Sequence, residues 1–259
     1  VPGQARILAA GNTDVGRKRT HNEDFFALVE PEHLYLVADG MGGHSSGEVA
    51  SQMAINTMSE FFQATSADPE ATWPYKMDKT RGYEENRLVT GIKLANRRIY
   101  EAAQREQRLH GMGTTIVSLL CVHDQCLIGH VGDSRVYRVR GNSIEQLTED
   151  HSLLNDYMKM KSMTQDEVDN FPHKNVIVRA LGMKETVKVD AILDTPQAGD
   201  VYLLCSDGLS GQLSADEMRE LVTKNKDLKA AGQALVDRAN EAGGPDNITV
   251  LLCRWMGAS

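Results

Sequence analysis

Two long helical patterns follow one another between residues 46 and 107, and no strand-like run separates them. In the first, a Ser45–Glu48 capping-box spacing precedes Val49, Ala50, Met53, Ala54, Ile55, Met58 and Phe62. In the second, over about residues 84–107, Leu88, Ile92, Ala95, Ile99 and Ala102 recur at three- and four-residue steps. After "LHGMG" the period changes. "TTIVSLLCV", "CLIGHVGD", "RVYRV" and "SIEQL" are short β-rich runs joined by polar turns, with "RGN" as a hairpin turn. Regular βαβ alternation is missing, so a doubly wound parallel sheet is a poor fit. The order predicts an α+β domain with helices outside antiparallel sheets, in an α/β/β/α layering.

Other segments complete that outline. Residues 5–11, 25–29 and 34–38 read as strands, and residues 65–83 as a surface connection anchored by Trp73 and Tyr75. Ser214 and Glu217 form a second capping-box spacing, a helix is predicted over 227–242, and "NITVLLCRW" reads as a closing strand. The chain of 259 residues is long enough to bury a core without cross-links. Its formal net charge of -8 opposes general nucleic-acid binding. The mixed charges of "RRIYEAAQREQR" read as a solvated helix face. Cys121, Cys126, Cys205 and Cys253 lie in or beside apolar runs without a CxxC pair, which points to reduced core residues in a cytoplasmic protein. Neither a signal peptide nor a membrane-spanning segment is expected.

The chemistry lies in a repeated grammar. "YLVADG", "IGHVGDS" and "VYLLCSDG" each end an apolar run with an aspartate beside glycine: Asp39, Asp133 and Asp207. "GGPDNITV" places Asp246 just before a strand, and "RTHNEDFF" places Glu23 and Asp24 before an apolar run. Any one of these loops alone is most simply an Asp-Gly turn. Together they suggest a site for hard divalent cations, which prefer oxygen ligands and relieve carboxylate repulsion. The glycines of "DGMGGHSSG" raise a rival reading, a nucleotide-phosphate cradle. Neither GxxxxGK[ST] nor GxGxxG is present, and an acid at the strand end disfavours phosphate held without a cation.

The segments "GRKRTHNEDFF", "VADGMGGHSSGE", "GMGTT", "HVGDSRVY", "LTEDHSL", "VIVRALG", "LLCSDGLSG" and "GGPDNITV" occur in order over about residues 5–255. As a set, they resemble the bacterial type 2C metal-dependent protein serine/threonine phosphatases. The resemblance implies one catalytic domain over residues 1–259, with two central antiparallel sheets between outer helix pairs and a flap at about 151–178. It implies two Mn²⁺ or Mg²⁺ ions and a third, weaker one. Asp39 would bridge the core pair, with Asp207 and Asp246 completing the first ion's ligands. Glu23 and the Gly40 carbonyl would serve the second, and Asp133 would share the third with Asp207. Asp24 would order water and Arg19 would grip phosphate. The reaction implied is hydrolysis of phosphoserine and phosphothreonine in proteins by water bridging the two ions. A monomer opposing a cytoplasmic serine/threonine kinase is the expected setting. An inactive partner-binding scaffold and a small-phosphoester phosphatase are the alternatives.

The leaving group poses a separate question. Where some members of the family carry histidine directly after DG, this chain has Met41. His44 reads first as a structural loop residue and second as a general acid, with metal-bound water as another proton source. His21 is placed to support Arg19 or Glu23. His130 lies in a strand-like run and could face either side, His151 opens a polar segment as a bare candidate, and His110 with His173 gives no metal-ligand spacing. Met158, Met160 and Met163 in the expected flap are equally readable as a peptide-binding surface or as local packing.

Overall fold

In the computed structural model, the described residues are 5–42, 46–68, 71–172 and 176–258. Antiparallel strands β1 (Ala5–Asp14), β2 (Asp24–Val29) and β3 (Leu34–Met41) lead into helices α1 (Ser46–Ala67) and α2 (Tyr83–Arg105). Six short strands follow in the middle of the chain: β4 (Gly113–Thr114), β5 (Ile116–Val122), β6 (Gln125–Val131), β7 (Arg135–Arg140), β8 (Ser143–Gln146) and, after helices α3 (Leu153–Met160) and α4 (Gln165–Asp169), β9 (Asp190–Asp194). The chain finishes with β10 (Val201–Cys205), α5 (Asp207–Ser210), α6 (Ala215–Lys224), α7 (Leu228–Glu241) and β11 (Ile248–Ala258). One sheet runs β1-β11-β10-β7-β8, and the other β2-β3-β5-β6-β9 with β4 beside β3.

Strand periodicity builds the layers. Along β3, Leu34, Leu36 and Ala38 face α1 and α2, while Tyr35 and Val37 face the other sheet. Along β10, Val201, Leu203 and Cys205 face α6 and α7, while Tyr202 and Leu204 face inward. Both faces of these strands are buried, so they read as unbroken apolar runs. Three cores result: helix against sheet, sheet against sheet, and sheet against helix. This is the expected α/β/β/α order. All four cysteines are buried and unpaired within it.

The local expectations compare closely. The two helices fall where the apolar period places them, with α1 extending three residues into the anticipated connection. Trp73 stacks against Phe61 and Tyr83, and the Tyr75 hydroxyl donates to the Lys93 carbonyl. The Ser214–Glu217 capping box forms, whereas the Ser45–Glu48 box lies outside the described residues. Thr164 and Glu167 form a further box at α4. Among the described residues, "VIVRALG", for all its β-branched side chains, contributes single bridges at Ile177 and Leu181 and no strand.

The outer helices are joined through a buried cation. Arg87 of α2 is 6% exposed and bonds Glu32, Thr65 and the Phe62 carbonyl at 2.8, 2.8 and 2.6 Å, with its guanidinium over the Phe62 ring. Removing one member of such a pair strands the other in low dielectric. Arg87→Ala should therefore lower the unfolding free energy by about 3–5 kcal/mol in urea titrations. Adding Glu32→Gln should recover part of that loss.

Candidate metal centre

The acids converge at one end of the sandwich. Asp24 opens β2 and sits directly across from Asp39 on β3. Asp207 follows β10, Asp246 precedes β11, and Asp133 lies in the β6–β7 loop. Glu23 is bound to β3 through its carbonyl, which accepts from the Gly40 amide at 3.1 Å. Asp133, Asp207, Asp246 and Arg19 line one cleft of about 580 Å³.

Their proximity has an electrostatic cost. Burial first, then Asp24, Asp207, Asp133 and Asp246, push the Asp39 carboxyl well above the usual carboxylate range. Burial and Asp246 raise Asp207, which lies within hydrogen-bonding reach of Asp39. Asp24 is pushed up to about 7, chiefly by burial and against the hydroxyls of Ser206 and Thr249. Asp133 is also pushed up to about 7, by burial and then by Asp207. Such a cluster favours protons or cations. Two oxygens, Asp24 Oδ1 and Asp133 Oδ1, are buried without a hydrogen-bond partner among the described residues. A set of oxygen donors with unspent acceptor capacity fits a hard divalent cation and its water. Arg19 stands at the half-exposed rim, donating from Nη2 to Asp246 Oδ2 at 2.7 Å. Its other N–H groups remain for an anion.

The glycines of the opening loop serve close packing. A Cβ on Gly40 would lie 2.1 Å from the Gly47 carbonyl oxygen, and one on Gly47 would lie 2.9 Å from the Glu23 carboxylate. The first turn of α1 thus presses onto the end of β3. This accounts for two glycines without a phosphate cradle.

Several residues that hold the acids in place carried no individual signal in the sequence. Asn247 accepts from the Glu23 amide at 2.8 Å and donates to the Val15 and His21 carbonyls, stapling the 15–23 loop to β11. Thr115 accepts from the Asp39 amide and shares a 2.7 Å hydrogen bond with Ser134, beside Asp133. His151 clamps the Asp133 loop twice: the Gly132 amide donates to His151 Nδ1 at 3.0 Å, and the His151 amide donates to the Gly132 carbonyl at 2.9 Å. Nδ1 being the acceptor, the ring proton lies on Nε2, 3.0 Å from Asp190 Oδ2. Arg179 donates to the other Asp190 oxygen, and His130 stacks on His151 with ring centroids 4.6 Å apart. Ligand atoms of His130, His151 and Asp190 are near enough to gather round a metal. The Arg179 guanidinium, 2.8 Å from His151 Nε2, already supplies the positive charge there. His44 and His173 lie outside the described residues, and Met41 is half-buried beside Gly40.

Comparison with known proteins identifies the family. The model of the family described as protein phosphatase 2C matches residues 14–253. A serine/threonine phosphatase, stp, of Listeria welshimeri is 38% identical over 247 residues, with 93% of this chain and 92% of that protein covered. Serine/threonine phosphatase Stp1 of Staphylococcus aureus superposes with a TM-score of 0.86 at 30% identity, over 98% of this chain and 97% of that one. The catalytic domain of the serine/threonine protein phosphatase PstP in complex with two manganese ions gives a TM-score of 0.80 at 30% identity, over 96% of this chain and 98% of that one. An acid-lined cleft between two antiparallel sheets marks a metal-dependent hydrolase. The chain belongs to the protein phosphatase 2C family.

The His151 clamp has a pH signature. Burial drops its pKa from the ordinary 6.5 to about 4, against the pull of Asp190. The unfolded chain therefore binds a proton that the folded chain refuses, and this contribution to stability is lost as pH falls from about 6.5 to about 4. The difference in unfolding free energy between wild type and His151→Gln should shrink across that window when both are titrated in urea.

Proposed function

We propose that this chain hydrolyses phosphoserine and phosphothreonine in proteins with two core Mn²⁺ or Mg²⁺ ions and a third, weaker one. The observation that carries this reading is a cleft lined by Asp133, Asp207, Asp246 and Arg19, with Asp39, Asp24 and Glu23 close enough to these acids to feel their charge. When bound, the cations supply Lewis-acid neutralisation of the phosphate dianion and lower the pKa of attacking water. Asp39, Asp207, Asp246, Glu23 and the Gly40 carbonyl would hold the core pair, and Asp133 with Asp207 would hold the third ion.

Asp24, fixed by Ser206 through Oδ2, keeps Oδ1 free to orient water. Arg19 presents a planar fork to phosphate oxygens while Asp246 holds it in place. Met41 has no ionisable proton, so it cannot protonate the departing alkoxide. All six acids come from one chain, which supports a monomer as the working unit. Four buried unpaired thiols support a reducing compartment, the cytoplasm, where products of a serine/threonine kinase are the substrates. Among the described residues, no helix is long and apolar enough to cross a membrane.

Phosphothreonine-peptide hydrolysis should require added Mn²⁺ or Mg²⁺ and stop with chelator. Asp39→Asn and Asp207→Asn should each lose at least about 100-fold in kcat/KM, in line with the cost of disturbing metal ligation. Activity that survives the chelator or both substitutions would overturn the mechanism, and turnover confined to small phosphoesters would overturn the substrate class. Arg19→Ala should mainly raise KM, since the arginine meets phosphate already in the ground state.

A further inference from the structure

Beside the acidic cleft lies a second concavity of about 420 Å³, lined by Met41, Ile177, Val178, Val187 and the lysines Lys184 and Lys188. We propose that this groove binds the polypeptide flanking the phosphorylated residue and selects an apolar side chain with an acidic neighbour. The inference rests on the phosphatase reading above and adds to it a rule for which phosphoproteins are preferred.

Position comes first. β3 delivers Asp39 and Gly40 to the acidic centre, and the next residue, Met41, lines the groove. One strip of backbone joins the two. Gly40 and Met41 pair with Thr114 and Gly113, and Thr114 exchanges both hydrogen bonds with Leu181, a core residue next to Ala180 in the groove lining. A substrate whose phosphate lies over the acids therefore has its neighbouring residues directed over this groove or away from it, within a residue or two.

The wall is built rather than loose. Asn96 of α2, 1% exposed, donates to the Lys184 and Glu185 carbonyls at 3.1 and 3.0 Å and accepts from the Gly182 amide at 2.9 Å. Gly182 takes a φ of +84°, and a Cβ there would lie 2.3 Å from Ile99. The 182–185 turn is thus fixed before any ligand arrives, which lowers the ordering cost of binding.

Chemistry then names the occupant. Val178 and Met183 are 43% and 54% exposed at the groove, so apolar surface stands ready for an apolar side chain. Arg179 is spent on Asp190. Glu185 adds only a minor pull on Arg97 of α2, whose ion pair is with Glu101. Lys184 and Lys188 have no ion-pair partner among the described residues, in a chain whose net charge is -8. An uncompensated basic rim over an apolar floor complements an acidic, partly apolar peptide.

The test uses phosphothreonine peptides of one length whose flanking positions carry Leu or Ser and Glu or Lys, with p-nitrophenyl phosphate as a substrate too small to reach the groove. Wild type should prefer the Leu/Glu peptide. In Lys184→Glu/Lys188→Glu, kcat/KM on that peptide should fall about tenfold, carried by KM, with any loss on the aryl phosphate at least about fivefold smaller. The Lys-flanked peptide should improve in the same variant. Val178→Ser should erode the preference for Leu over Ser. Equal rates on all peptides in wild type, or an unchanged charge preference in the reversed variant, would overturn the groove while leaving the phosphatase reading intact. Loss of all metal-dependent hydrolysis in wild type would instead bring down that reading and the groove with it.

Discussion

Repulsion among carboxylates is the constraint around which this molecule is arranged. Asp39 is packed against Asp24 across one strand pair and within reach of Asp207 from the opposite sheet. No chain gathers such groups by local preference, because each would ionise more readily alone in water. The surrounding fold supplies the force that keeps them together. Staples from distant segments hold the backbone at Glu23, Asp39 and Gly132, and a compensating cation would remove the penalty that the staples otherwise bear alone.

Those staples divide what could be read in the sequence from what could not. The layers were legible because burial on both strand faces and a three- to four-residue helical step leave direct marks on composition along the chain. The acids were legible because a carboxylate at the end of an apolar run is an unusual place for charge. Asn247, Thr115 and His151 left no such mark. Each is an ordinary polar residue, and its role depends on a partner remote in sequence: Glu23, Asp39 and Gly132. Arg179 pairs with Asp190, which β9 places opposite His130 of β6. The run "NVIVRALG" illustrates the opposite case, where β-forming residues are present and the neighbouring edge offers only single bridges. The two glycines at Gly40 and Gly47 show a third: the letters suggested a ligand, and the geometry assigns them to a helix pressed against a strand end.

Substrate choice and chemistry are housed apart in this arrangement, yet a single backbone strip connects them. The acids require a fixed frame, and the 177–188 segment provides a wall whose surface side chains can change without disturbing that frame. Lys184 and Lys188 reach solvent from a turn anchored by Asn96, so variation at their positions alters charge and leaves the anchor untouched. A fold of this kind lends itself to many phosphoproteins through surface substitutions alone.

The division of the acids between the two sheets has a mechanical consequence. Asp24 and Asp39 ride on one sheet, while Asp207 and Asp246 belong to the other, and between the sheets lies a core of Tyr35, Val37, Tyr202 and Leu204. A cation held by both sets would act as a bolt through the sandwich. By linkage, whatever tightens the bolt stiffens the joint, and whatever spreads the joint loosens the bolt. The two halves can therefore sense each other's state at the very point where phosphate would be cleaved, with no moving part other than the seam between them.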